Sequence, residues 1–184
     1  MNWPLTPGVY RSCFPEKDET DRPRLERHLN QDFRIQAAAL IAGEKNDQEL
    51  YFLQQHYGIP TRLLDWSTNP LAPPSCSQPL TVRRFDGAVF MMDAYQLAVC
   101  QGAQDPFLGV ATSRLGAFKQ ALRPICAWES EDLFPPFIIP VCPNHFDRRV
   151  MLQRSGFTFH PPMRRGLTRA ENNLAANICD PSKD

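Results

Sequence analysis

Proline is the feature that most constrains this chain. Eighteen of the 184 residues are proline, against nine glycines. That is about twice the usual proline share of roughly 5%. Each proline fixes φ and removes a backbone donor, so it ends helices and is confined to strand edges and turns. Short elements joined by fixed turns are expected, and a coiled coil or helical solenoid is excluded. Hydrophobic residues make up 42% of the chain, enough for one real core at this length. The expected fold class is α+β: a single compact domain over residues 1–165, with a small mixed or antiparallel sheet and several short helices. A weakly structured tail is expected over 166–184.

Twenty basic and twenty acidic residues cancel, which disfavours a globally basic nucleic-acid binder and an acidic disordered chain. No run approaches the length of a membrane span, and the N-terminus lacks the basic and apolar regions of a signal peptide. Cysteines 13, 76, 100, 126, 142 and 179 form no Cys-x-x-Cys and show no zinc spacing. They are expected to be reduced residues of a cytoplasmic protein, with no metal site. Gly-rich phosphate loops, a nucleophile elbow and a metalloprotease His pair are missing from the sequence. Rossmann hydride transfer, P-loop chemistry and zinc hydrolysis are therefore disfavoured.

Residues 8–14 read as a short extended segment. From Arg24, apolar residues recur at Leu25, Leu29, Phe33, Ala37 and Leu40, one face of a helix that Gly43 closes. A second helix is predicted over 47–57, with Gly58 as its left-handed cap and Pro60 preventing continuation. Asn69-Pro70 announces a helix that Pro73-Pro74 breaks. Strands are expected at 88–92, 137–141 and 156–160, and short helices near 95–101, 114–122 and 144–154. Pro140 places its strand at a sheet edge or strand end.

The densest chemistry lies in Gln54-Gln55-His56-Tyr57-Gly58-Ile59-Pro60-Thr61-Arg62-Leu63-Leu64-Asp65-Trp66. An imidazole, a phenol, a guanidinium, a carboxylate and an indole surround a rigid Gly-x-Pro turn. His56 is a candidate proton donor and acceptor near neutral pH, or a cation at the negative end of a helix. Tyr57 is a candidate stacking ring or a core residue. Arg62 is a candidate ligand-binding residue. The alternative reading, which the residues favour, pairs it with Asp65 in a buried clasp. Arg11, beside Tyr10, has the planar fork that matches phosphate oxygens, or serves as an ordinary surface arginine.

This string resembles the signature of the FRG domain family. Tyr10-Arg11-Ser12 stands where that family has its Phe-Arg-Gly, with serine in place of the glycine. Asp86-Gly87-Ala88-Val89 and Arg149-Val150-Met151-Leu152-Gln153-Arg154-Ser155-Gly156-Phe157-Thr158 resemble later family segments, so the likeness runs roughly over 8–160. The chain departs from the family at Ala72-Pro73-Pro74-Ser75-Cys76-Ser77, where an apolar helix is expected.

The resemblance implies a toxin- or defence-type protein. The order of its parts is similar to that of ADP-ribosyltransferases, which grip NAD on a split sheet. On that reading Arg11 and Arg62 hold the nucleotide, while His56, Tyr57 and Gln153 form the catalytic set. Gln153 is an amide where the transferases carry a glutamate. The alternative is a non-catalytic or degenerate module that binds nucleic acid or protein. Its candidate surface is Arg148, Arg149, Arg154, Arg164, Arg165 and Arg169, interleaved with aromatics.

Overall fold

A computed structural model describes residues 5–11, 21–39, 41, 43–69, 90–100, 116–130, 134, 137–143 and 155–161. The predicted helix over 144–154, the helix start at Asn69-Pro70, the tail from 166 and the six arginines 148, 149, 154, 164, 165 and 169 lie wholly or almost wholly outside them.

The first described element is a 3-10 turn, Gly8–Tyr10, where an extended segment was expected. The turn is fixed tertiarily: Val9 is fully buried, and its N–H donates to the Thr61 carbonyl at 3.0 Å. Helix α1 runs Asp21–Ala37, starting before the predicted Arg24. Pro23 sits in its first turn, where a missing N–H costs no intrahelical bond. Its buried face is also rotated from the leucine stripe. Pro23, Glu26, Asn30, Phe33 and Ala37 face inward, while Leu25 and Leu29 are only partly covered.

Helix α2 runs Asp47–His56, as predicted to within a residue. A capping box starts it: Asn46 accepts from the Glu49 N–H, and Glu49 accepts from the Asn46 N–H. Gly58, at φ +80°, turns the chain after it. Helix α3 runs Ala94–Cys100. The strand expected at 88–92 is not formed over its described part, 90–92. Asp93 is the physical reason. Its carboxylate accepts from the N–H groups of Tyr95 and Gln96 at 2.9 and 3.0 Å, which makes the segment before it the approach to a helix. Helix α4 runs Gly116–Cys126.

Three strands, β1 (Leu63–Ser67), β2 (Ile139–Val141) and β3 (Ser155–Phe159), form an antiparallel sheet in the order β1-β3-β2. The strands predicted at 137–141 and 156–160 correspond to β2 and β3, whereas β1 falls in the signature string, where no strand is predicted. Pro140 lies on the edge strand β2, as its missing donor requires. Leu63 pairs with Phe159, Asp65 with Phe157 and Ile139 with Phe159. Opposed residues share a face, so Leu63, Ile139, Val141, Phe157 and Phe159 line one side. Tyr51 and Phe52 of α2 and Phe118, Ala121, Leu122 and Ile125 of α4 pack with them. The fold is thus α+β with an antiparallel sheet. Among the described residues no helix is long and apolar enough to cross a membrane.

Candidate functional site

The signature segment separates into a buried layer and a surface layer. Arg62, just before β1, is the centre of the buried one. Its guanidinium forms an ion pair with Glu26 of α1, and neither side chain is exposed. The Arg62 Nε donates to Glu26 Oε2 at 2.7 Å, and the Arg62 backbone N–H donates to Glu26 Oε1 at 3.1 Å. Tyr51 of α2 donates its hydroxyl to Glu26 Oε1. The Arg62 Nη1 has no polar partner among the described residues. The guanidinium carbon instead lies 3.9 Å from the Phe134 ring centre, within reach of the ring's negative face.

The electrostatics follow from this enclosure. Burial alone lowers the Arg62 pKa, but the Glu26 carboxylate outweighs it and holds the guanidinium above its ordinary range. Burial, and then the charge of Glu26, push the Tyr51 phenol well above its usual value, so it stays a donor. The clasp expected of Arg62 therefore exists, but its partner is Glu26 and not Asp65. The reason is direction. Asp65 stands on strand β1 at the surface, whereas Arg62 enters the core beside α1.

The surface layer gathers around Asp65. Leu63 donates its N–H to Thr61 Oγ1 at 3.0 Å, and Thr61 donates its hydroxyl to Gln55 Oε1 at 2.6 Å. That bond orients the Gln55 amide so that Nε2 donates to Asp65 Oδ2 at 2.7 Å. Desolvation raises the Asp65 carboxyl above its ordinary value, against the Gln55 hydrogen bond and the positive fields of Arg11 and His56. Both of those residues are therefore electrostatic neighbours of Asp65.

Arg11 is exposed, and its Nε donates to the Thr6 carbonyl at 3.0 Å. His56 ends α2, partly covered. Tyr57 is 68% exposed rather than core. Its ring lies 5.8 Å from His56 and 6.2 Å from Phe33. Of the five residues singled out from sequence, Arg11 and His56 bear on Asp65 through their charges, and Tyr57 lies alongside His56. Arg62 lies apart in the core, and Gln153 lies outside the described residues.

Sequence reasoning missed Gln55 and Thr61 as the residues that aim Asp65. It also missed Glu26, which carries the clasp. The available signal was the polar pair Glu26 and Asn30 four residues apart on a helix whose inward face they share. Asn30 donates to Gln54 Oε1 at 2.9 Å in the same buried layer. On the other face of the sheet, Trp66 Nε1 donates to Thr158 Oγ1 at 2.9 Å, and that oxygen lies 2.9 Å from His160 Nε2. Among the described residues no group of three or more His, Cys, Asp or Glu side chains could hold a metal ion.

The fold and the signature geometry together describe an α+β domain whose identifying string is half clasp and half surface cluster. Residues 1–73 match the family model of the FRG domain, which supports the resemblance read in the signature. The match ends before the segments at 86–89 and 149–158, where the likeness rests on motifs alone. No curated protein and no solved structure matches the chain, and the likeness to ADP-ribosyltransferases draws no support from the fold.

Proposed function

We propose that the cluster around Asp65 is a nucleotide site and that its ligand is NAD or an ADP-ribose compound, cleaved in the manner of an ADP-ribosyltransferase. What supports the reading is the Asp65 carboxylate itself, which Gln55 holds by a hydrogen bond of 2.7 Å and on which the charges of Arg11 and His56, distant from each other in sequence, also bear.

Each residue has a chemical role on this reading. The Arg11 guanidinium meets a phosphate. The exposed Tyr57 ring stacks on a base or on nicotinamide. When the bond from the ribose C1′ to nicotinamide breaks, nicotinamide leaves with the electron pair and positive charge develops on the sugar. Asp65 supplies the carboxylate that stabilises it, a role the amide of Gln153 fills poorly. Water or an acceptor hydroxyl then bonds to C1′ and loses its proton to His56. Arg62 takes no part, because its enclosure leaves no access for a ligand. The toxin- or defence-type role in the cytoplasm belongs to the same reading.

The competing reading is a non-catalytic module. The wholly enclosed Arg62 favours it, since the centre of the signature then serves the fold alone. Two measurements separate the readings: the thermal midpoint with NAD and with ADP-ribose, and nicotinamide release from NAD. Our reading expects a rise that vanishes in Arg11→Ala, and release that is lost in Asp65→Asn. Wild-type protein that shows neither a midpoint shift nor release would overturn it.

A further inference from the structure

Thr61 is fully buried, so no ligand reaches it, yet it is bonded toward both parts of the candidate site. Its carbonyl accepts the Val9 N–H at 3.0 Å and so seats the Gly8–Tyr10 turn, which Arg11 follows. Its hydroxyl stands between the Leu63 N–H at 3.0 Å and Gln55 Oε1 at 2.6 Å, and Gln55 Nε2 reaches Asp65 Oδ2 at 2.7 Å. A hydrogen-bond relay thus runs from the backbone of β1, through the core, to the surface carboxylate.

The direction of the relay is dictated at both ends. A backbone N–H only donates, so the Leu63 bond fills one lone pair of Thr61 Oγ1. An ionised carboxylate only accepts, so it takes Gln55 Nε2 and turns Oε1 toward Thr61. The Thr61 hydrogen then goes to Gln55 Oε1. A protonated Asp65 that donated to Gln55 would turn the amide round and bring Nε2 against Thr61 Oγ1. That oxygen would then accept from both sides, and its own hydrogen would have no acceptor in the relay, a costly state for a buried hydroxyl. A protonated Asp65 that still accepted from Gln55 would do so as a neutral and weaker partner. The relay therefore favours the ionised carboxylate, against the desolvation that opposes it.

We propose that Thr61 is a positioning residue for Asp65, holding its carboxylate through Gln55 as an oriented anion. The inference deepens the nucleotide reading and rests on it for the reaction, whereas the relay itself can be observed with no ligand present. On that reading Arg11 and Tyr57 bind the nucleotide and lie outside the relay. Thr61 therefore acts on turnover and not on affinity, because the anion it orients is needed when positive charge develops on the sugar.

The test uses the full chain and the variants Thr61→Val, Thr61→Ser and Gln55→Leu. The first measurement is a carbon NMR titration of the Asp65 carboxyl without ligand. Arg11 and His56, the charged groups that bear on Asp65, are the same in every variant. Thr61→Val and Gln55→Leu are expected to raise the Asp65 pKa, and Thr61→Ser, which keeps the hydroxyl, to leave it at the wild-type value. The second measurement is nicotinamide release from NAD. Thr61→Val is expected to lower kcat by about ten- to a hundredfold and to keep the thermal midpoint rise with NAD. Thr61→Ser should restore most of the turnover. Gln55→Leu, at a partly covered position, carries the same expectations if Thr61→Val does not fold. An Asp65 titration unchanged in Thr61→Val and Gln55→Leu would overturn the proposal, as would wild-type kcat in both or a Thr61→Ser that behaves as Thr61→Val. Wild-type protein that releases no nicotinamide would overturn the nucleotide reading instead, and the titration alone would then decide the relay.

Discussion

Glu26 and Arg62 stand 36 positions apart and form an ion pair with neither side chain exposed. The pair joins α1 to the entrance of β1, and the Tyr51 hydroxyl brings in α2 on the same carboxylate. Three elements are thereby fixed at one charge. The arrangement explains why the signature carries an arginine next to two leucines. The guanidinium enters the core with its counter-charge, and Leu63 follows it into the apolar face of the sheet. It also explains the polar inward face of α1, because Glu26 must lie where Arg62 arrives.

His160 makes the stability depend on pH. It is 7% exposed, and burial, followed by the charge of Arg62, lowers its pKa to about 4. In the unfolded chain the value is about 6.5. Between these values the unfolded state binds the extra proton, so stability is full above about pH 6.5 and is lost as pH falls toward 4. The loss is on the order of 2–3 kcal/mol. Urea unfolding at pH 7 and pH 5 should show it. His160→Gln should lose about 2 kcal/mol less over that interval, and an identical loss in both proteins would contradict the assignment.

Gly58 is required by its backbone and not by its neighbours. A Cβ there would meet nothing within 4 Å, yet φ is +80°. Gly58→Ala should therefore cost about 1–2 kcal/mol from conformation alone. Gly116, equally open at the start of α4 and without a positive φ, is the control. Gly116→Ala should be neutral or stabilising by up to about 1 kcal/mol. Thermal melts of the two variants should move in opposite directions or differ clearly in size.

The family match stops at residue 73, but the packing does not. Phe52 stacks on Phe118 at 5.5 Å and on Phe157 at 5.1 Å, and Leu63 pairs with Phe159. A fragment of residues 1–73 lacks these partners and β1 lacks its neighbouring strand. It should show no cooperative thermal transition by circular dichroism, where the full chain does. A sigmoidal melt of the fragment would show that it folds alone.

Legibility in the sequence followed the range of the forces involved. Helix α2 was readable because its capping box, its apolar residues and Gly58 act within a few residues. Strand β2 was readable because Pro140 marks an edge. Strand β1 was not, because Leu63-Leu64-Asp65-Trp66 alternates poorly and becomes a strand only by pairing with β3, some ninety residues later. The rotation of α1 was hidden for the same reason: Glu26 is turned inward by Arg62, not by any local preference. Arg11 and His56 could be named from their chemistry. That both charges bear on one carboxylate follows from the fold, in which the 3-10 turn at Gly8–Tyr10 is held by the Thr61 carbonyl through Val9.

The central claim is that the signature divides into a clasp that holds the fold and a surface cluster that does not. Denaturant unfolding of Glu26→Gln and Asp65→Asn tests it most directly. Glu26→Gln leaves a buried guanidinium without its counter-charge and should lose about 3–5 kcal/mol. Asp65→Asn removes a surface charge and should lose no more than about 1 kcal/mol. Equal losses, or a larger loss at Asp65, would contradict the division.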